Sequence, residues 1–228
     1  MKFYIANTDL DKQINEIKLK IHLSMNGIVS DQMSQNGIIY KKNYGVDIPR
    51  IKEISKFYTP NHDLAQRLWN LQIRETMIMA TLLEPVNKFT EDIAQKWVET
   101  FNQIEIIEQA SMNLFSKLPY AASLSLKWIQ SDKIWIQISG YSVAFRIVEK
   151  FNQNQTTIII QNALNMSLTS EFQLYKVIAL CLSRSCRNSK KTATYILKEI
   201  EVFSQSSSIS QRYIYNEVMQ EILFLNIL

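Results

Sequence analysis

The sequence predicts an all-α fold, a solenoid of antiparallel helix pairs, and three observations predict it. Apolar residues recur at i, i+3, i+4 and i+7 along most of the chain, the period of a helix that buries one face. Only 4 Gly and 4 Pro occur in 228 residues, whereas a large all-β protein needs many turn residues. A tryptophan-bearing segment also returns, with Trp69, Trp97 and Trp128 at intervals of 28 and 31 residues.

Taken in order, the first clear stripe is Ile51, Ile54, Phe57 and Tyr58, with Pro49 suited to a first helical turn. Stretches 63–70, 75–83, 91–100 and 104–118 show the same spacing. Asn61, Thr90 and Ser170 precede helical runs as N-caps, and Glu91 and Asp92 complement the positive end after Thr90. The β-branched run 157–160 stands alone among helices and reads as helical. Residues 152–155 and 204–208 read as short loops.

Leu64 to Trp69 resembles Ile93 to Trp97, and both resemble Leu124 to Trp128; segments around Ala163 and Leu197 continue a period in the low thirties without the Trp. Each is followed by a more apolar helix, beginning near Arg74, Gln103, Lys133, Phe172 and Arg212. Two helices per repeat, burying their faces only against neighbours, is the pattern of a helical solenoid. Trp69, Trp97, Trp128 and Trp135 read first as core. No linker is long enough to divide the chain, so residues 1–228 read as one domain.

Hydrophobic residues make up 46% and charged residues 20%, which is globular composition. No apolar run reaches membrane-spanning length. The opening residues 1–7 turn polar too soon for a secretory leader, which gives a cytoplasmic expectation. Cys181 and Cys186 are turned through about 500° on a helix and lie on different faces, reading as reduced buried thiols. With two isolated histidines, His22 and His62, no zinc spacing exists, and neither a metal nor a cofactor is expected. The formal charge of +4 and a pI near 8.9 are mildly basic, so the location of the charge carries more than its sum.

Two stretches carry a resemblance. Tyr44-Gly45-Val46-Asp47-Ile48-Pro49, the helix after it, Leu64 to Trp69, and Ile73-Arg74-Glu75-Thr76-Met77 resemble the opening of the DNA alkylation repair family, the AlkD-like glycosylases. Lys127-Trp128-Ile129-Gln130-Ser131-Asp132-Lys133-Ile134-Trp135-Ile136-Gln137 is similar to that family's helix-turn-helix before a DNA-facing helix. The resemblance spans residues 44–182. It implies a HEAT-like helical repeat with DNA in a basic, concave groove.

In members that excise alkylated bases, the resemblance implies an aspartate flanked by tryptophans, with an arginine on a nearby helix. The anion stabilises the sugar as it becomes cationic, aromatic faces attract the cationic lesion, and arginine clamps phosphate. Here the aspartate position falls on Glu108, the tryptophans on Ile104 and Leu180, and the arginine on Ile138. An added methylene moves a carboxylate by more than about 1 Å, a displacement that can lower rate around a hundredfold. A slip of one helical turn substitutes Glu105 and restores no partner. Glu99, Glu105 and Glu108 also read simply as solvated acids on helix faces.

The strongest remaining site in the sequence is the basic cluster Arg184, Arg187, Lys190 and Lys191, interleaved with Ser and Asn. Such a set contacts phosphates without reading sequence; alternatively, its cations complement the negative end of a helix. Lys41 and Lys42 form a smaller patch. The resulting reading is a divergent family member that docks duplex, damaged or branched DNA through its backbone without base excision. Its rivals are a glycosylase using Glu108 and a protein-interaction scaffold.

Overall fold

A computed structural model of the chain describes residues 7–226. The opening segment that bears on a leader therefore lies, up to residue 6, outside the described residues. Two compact units divide at Thr90. Among the described residues there are thirteen α-helices and no strand, the one β contact being an isolated parallel bridge between Lys42 and Ile73. No helix there is long and apolar enough to cross a membrane.

The first unit holds α1 (Thr8–Leu23), α2 (Gly27–Gln35), α3 (Ile48–Ser55), α4 (His62–Asn70) and α5 (Arg74–Leu83). Helix α1 is capped by the Asn7 side chain and buries Leu10, Ile17 and Ile21 on one face. Asp47 caps α3 by accepting from the Arg50 N–H at 2.7 Å, with Pro49 in the first turn, and Asn61 caps α4 as expected. Ile51 and Ile54 are buried and Tyr58 nearly so, but Phe57 is 71% exposed. Helix α3 ends at Ser55, so Phe57 escapes the helical phase, and the Lys20 ammonium lies over its ring at 5.0 Å. His62, isolated in the sequence, has a spatial partner. Its Nδ1 lies 2.6 Å from the buried Glu84 carboxylate, which burial raises above its usual range.

The segment before α3 is tied to the start of α5. Lys42 carbonyl accepts from the Arg74 N–H at 2.9 Å, and the buried Glu75 carboxylate accepts from the Tyr44 and Val46 N–H groups. Gly45 has φ of +68°, and a Cβ there would stand 2.1 Å from the Asn26 carbonyl oxygen. Only glycine meets both conditions.

The second unit holds α6 (Glu91–Val98), α7 (Ile104–Asn113), α8 (Ala121–Ile129), α9 (Ile134–Ala144), α10 (Gln153–Asn165), α11 (Phe172–Ser185), α12 (Lys190–Ile200) and α13 (Ile209–Phe224). Two layers form. Helices α7, α9, α11 and α13 pack in succession, while α8, α10 and α12 do likewise beside them. The first helices and their more apolar successors thus match the repeat read from the sequence, from α4 and α5 through α12 and α13. Trp69, Trp97 and Trp128 are all buried. Trp128 donates from Nε1 to Gln95 at 2.9 Å and packs against Phe115.

Several boundaries depart from expectation. The 104–118 stretch breaks because Leu114 leaves helical geometry, and a 3-10 turn at Phe115–Lys117 keeps Phe115 in the core. Residues 152–155 are no loop: Asn152 and Gln155 form a reciprocal capping box for α10. Glu171 rather than Ser170 occupies the N-cap position of α11, with no side-chain cap bond, and α9 starts at Ile134, directly after Lys133. Residues 204–208 include the end of a 3-10 helix, and α13 begins at Ile209, ahead of Arg212. Trp135, expected in the core, is only half-buried because it lies in the first turn of α9, before the buried run 136–144.

Helices α8 and α9 meet at Gly140, where an added Cβ would stand 2.6 Å from the Ile129 backbone nitrogen and 2.9 Å from the Trp128 carbonyl carbon. Ser125 closes the same contact by donating to the Gly140 carbonyl at 3.0 Å. Gly140→Ala is expected to lower stability by about 1–3 kcal/mol, the range for overpacking a tight interior. Thermal denaturation checks this, and an unchanged midpoint would refute the close approach.

Candidate nucleic-acid interface

The basic cluster of the sequence spans the junction of two helices. Arg184 closes α11, Arg187 follows its end, and Lys190 and Lys191 open α12 behind the N-cap Ser189. Dipole complementation accounts only for Arg184. Lys190 and Lys191 stand at the positive end of α12, where a cation is disfavoured and an anion favoured.

Arg184 and Arg187 line a cleft of about 760 Å³ together with Arg146 and Lys150, residues the sequence reading missed. Glu149 is the sole acid in that lining, and the first turns of α10 and α12 contribute Gln153, Thr156, Ser189 and Thr192. Lys190 is exposed and does not line the cleft, whereas Lys191 lines an adjoining slot. Lys41 and Lys42, both exposed, belong to the first unit. The Lys42 ammonium lies over the Tyr44 ring at 4.7 Å.

The rim is held by specific bonds. Arg146 follows the end of α9, donates to the Ser142 carbonyl at 2.6 Å and stacks over Phe145 at 4.2 Å. Burial lowers its guanidinium from the usual range, and the charge of Glu108 opposes that shift; an arginine remains charged regardless. Lys150 donates to the Ser116 carbonyl, and Asn188 to the Val148 carbonyl at 3.2 Å. Arg187 makes two bonds to Glu221 of α13, at 2.5 and 3.2 Å, which raise its guanidinium further. The Arg187 side chain is 41% exposed, so water screens the pair and it adds little to stability.

Glu108 lies exposed on α7, with Arg146 within electrostatic reach. Ile104 and Leu180 are partly buried, and Ile138 is fully buried inside α9. Arg146, eight positions after Ile138 and beyond the end of the same helix, is a cation whose charge feels Glu108. Cys181 and Cys186 are buried, and burial pushes both thiols up to about 12, which suppresses thiolate chemistry. Among the described residues no group of three or more His, Cys, Asp or Glu could hold a metal ion.

The family model for DNA alkylation repair enzymes matches residues 28–204. The chain belongs to the DNA alkylation repair enzyme family. This membership covers both the segment tied by Glu75 and the helices that build the cleft. A solved structure from a new family of proteins related to the HEAT-like repeat DNA glycosylases with affinity for branched DNA structures matches this family member with a TM-score of 0.78. Identity is 13%, over 93% of this chain and 95% of that one. At that identity the likeness shows the fold, a HEAT-like helical repeat. An engineered protein matches at a TM-score of 0.43 and 12% identity, over 77% of this chain and 84% of that one. No curated protein matches the sequence.

Proposed function

We propose that this member of the DNA alkylation repair family binds DNA through the cleft of its second unit and does not excise bases. The observation that carries the reading is the cleft itself, where Arg146, Lys150, Arg184 and Arg187 converge with a single acid in the lining. Guanidinium forks match phosphate oxygens bidentately, and contacts of that kind position DNA without specifying bases. A DNA phosphate at Arg187 competes with Glu221 for the same donors. The affinity of the structurally similar family for branched DNA agrees with such a partner. The neighbouring Lys190 and Lys191 add phosphate contacts in this reading, and Lys41 and Lys42 are a separate candidate phosphate contact within the first unit.

The absence of excision follows from the residues at the positions that would serve a catalytic carboxylate at Glu108. Aliphatic side chains at Ile104, Ile138 and Leu180 offer neither an aromatic face to a cationic base nor a phosphate clamp. One observation favours the rival glycosylase reading, the electrostatic reach between Glu108 and Arg146. Release of methylated purines from alkylated DNA decides between them. No release is expected from the wild-type protein under conditions where an active family member works. Release that is lost in Glu108→Gln and kept in Glu105→Gln would restore the enzyme. A protein scaffold, by contrast, predicts no salt-dependent DNA binding at all.

A further inference from the structure

Next to the cleft, the faces of α10 and α12 enclose a slot of about 300 Å³ lined by Gln153, Thr157, Ile160, Lys191, Thr192 and Tyr195. Gln153 and Thr192 line both spaces, so the slot opens on the cationic cleft. Its chemistry is different. Thr157 donates its hydroxyl to the Gln153 carbonyl at 3.0 Å, and the Thr192 hydroxyl is 2.9 Å from that of Ser189. Both hydroxyls are thus engaged on their own helices, and the walls left are Ile160, the half-buried ring of Tyr195 and threonine carbon, with the Gln153 side chain at the opening shared with the cleft. Lys191, exposed, supplies the slot's only charge.

Backbone docking has no use for an apolar slot. A nucleotide uses both spaces, because its phosphate needs cations and its base needs an apolar or aromatic surface on which to stack. A paired base is stacked in the duplex and cannot enter without being extruded, at an unfavourable free energy that is smallest for a base already unpaired. We propose that the slot takes the base of an unpaired nucleotide at a DNA strand end. Its phosphate lies in the cleft among Arg146, Arg184 and Arg187, its base lies against Tyr195, and Lys191 meets the adjoining phosphate. This inference rests on the DNA-binding reading and adds to it a class of DNA, one with a single-stranded overhang or flap.

The test compares the full chain on a duplex with a single-stranded overhang and on the same duplex with blunt ends, by fluorescence anisotropy. The overhang is expected to bind at least about fivefold more tightly, the ratio given by the lower end of base–aromatic stacking. Tyr195→Leu should bring the overhang-to-blunt ratio close to one, while Tyr195→Phe keeps it. A 2-aminopurine placed in the overhang should be quenched by the wild-type protein, a reading that needs no variant to fold. Equal binding of the two duplexes, or a preference that survives Tyr195→Leu, overturns the slot while leaving DNA binding standing. Failure of both duplexes to bind sinks the DNA reading itself. Deoxyadenosine monophosphate that binds as tightly as the overhang would give the site to a free nucleotide and overturn the strand-end assignment.

Discussion

Glu75→Ala is expected to destabilise the first unit by about 3–5 kcal/mol, the range for removing one partner of a buried ion pair. The Glu75 side chain is fully buried and that of Arg74 is 4% exposed, with the guanidinium 3.0 Å from the carboxylate. Arg74 also donates to the Val46 carbonyl at 2.7 Å, while the same carboxylate accepts the N–H groups of Tyr44 and Val46. Alanine removes the counter-charge of a buried cation and the acceptor of two backbone N–H groups in one step, so the segment at residues 43–46 loses its anchor. Glu75→Gln keeps an acceptor and loses the charge, and should fall between alanine and wild type. The exposed pair of Arg50 and Glu53 provides the contrast, since Glu53→Ala should hardly move the urea midpoint. Equal midpoints for Glu75→Ala and Glu53→Ala would refute the anchoring role.

Replacing Arg146, Lys150, Arg184 and Arg187 together with Gln should weaken duplex binding on the order of a hundredfold at low salt. The effect should be nearly uniform across DNA sequences, because phosphate contacts carry no base information. The log–log dependence of affinity on salt should flatten by about 0.9 per lost contact, roughly 3.6 if each of the four meets a phosphate. Lys190 and Lys191 replaced together, and Lys41 and Lys42 replaced together, measure the shares of the α12 start and of the first unit. An unchanged salt slope in the fourfold variant, with its fold intact by circular dichroism, would remove the cleft as the DNA site. A slope that falls only with the Lys41 and Lys42 pair would move the interface to the first unit.

Helix identity was determined by the sequence alone, because a helix that buries one face needs only a 3.6-residue apolar period. That period placed the pairs from α4 and α5 to α12 and α13 and put Trp69, Trp97 and Trp128 in the core. It failed where local chemistry sets a boundary, as at Leu114, at the Asn152 capping box and at Phe57 just beyond α3. The cluster at Arg184, Arg187, Lys190 and Lys191 was visible because its members are neighbours in the chain. The Glu75 anchor was not, although both of the stretches it joins stood out, since nothing local says that a carboxylate will meet backbone amides 29 and 31 residues away. Arg146 and Lys150 look like ordinary surface cations after an apolar helix. Only the packing of α9 against α11, and of α10 against α12, brings them into one cleft with Arg184 and Arg187. The same packing leaves Lys190 outside the cleft lining and gives Arg187 a carboxylate partner 34 residues away at Glu221. Periodicity is a property of neighbours along the chain, whereas convergence of charge is a property of surfaces that meet only after the helices have packed.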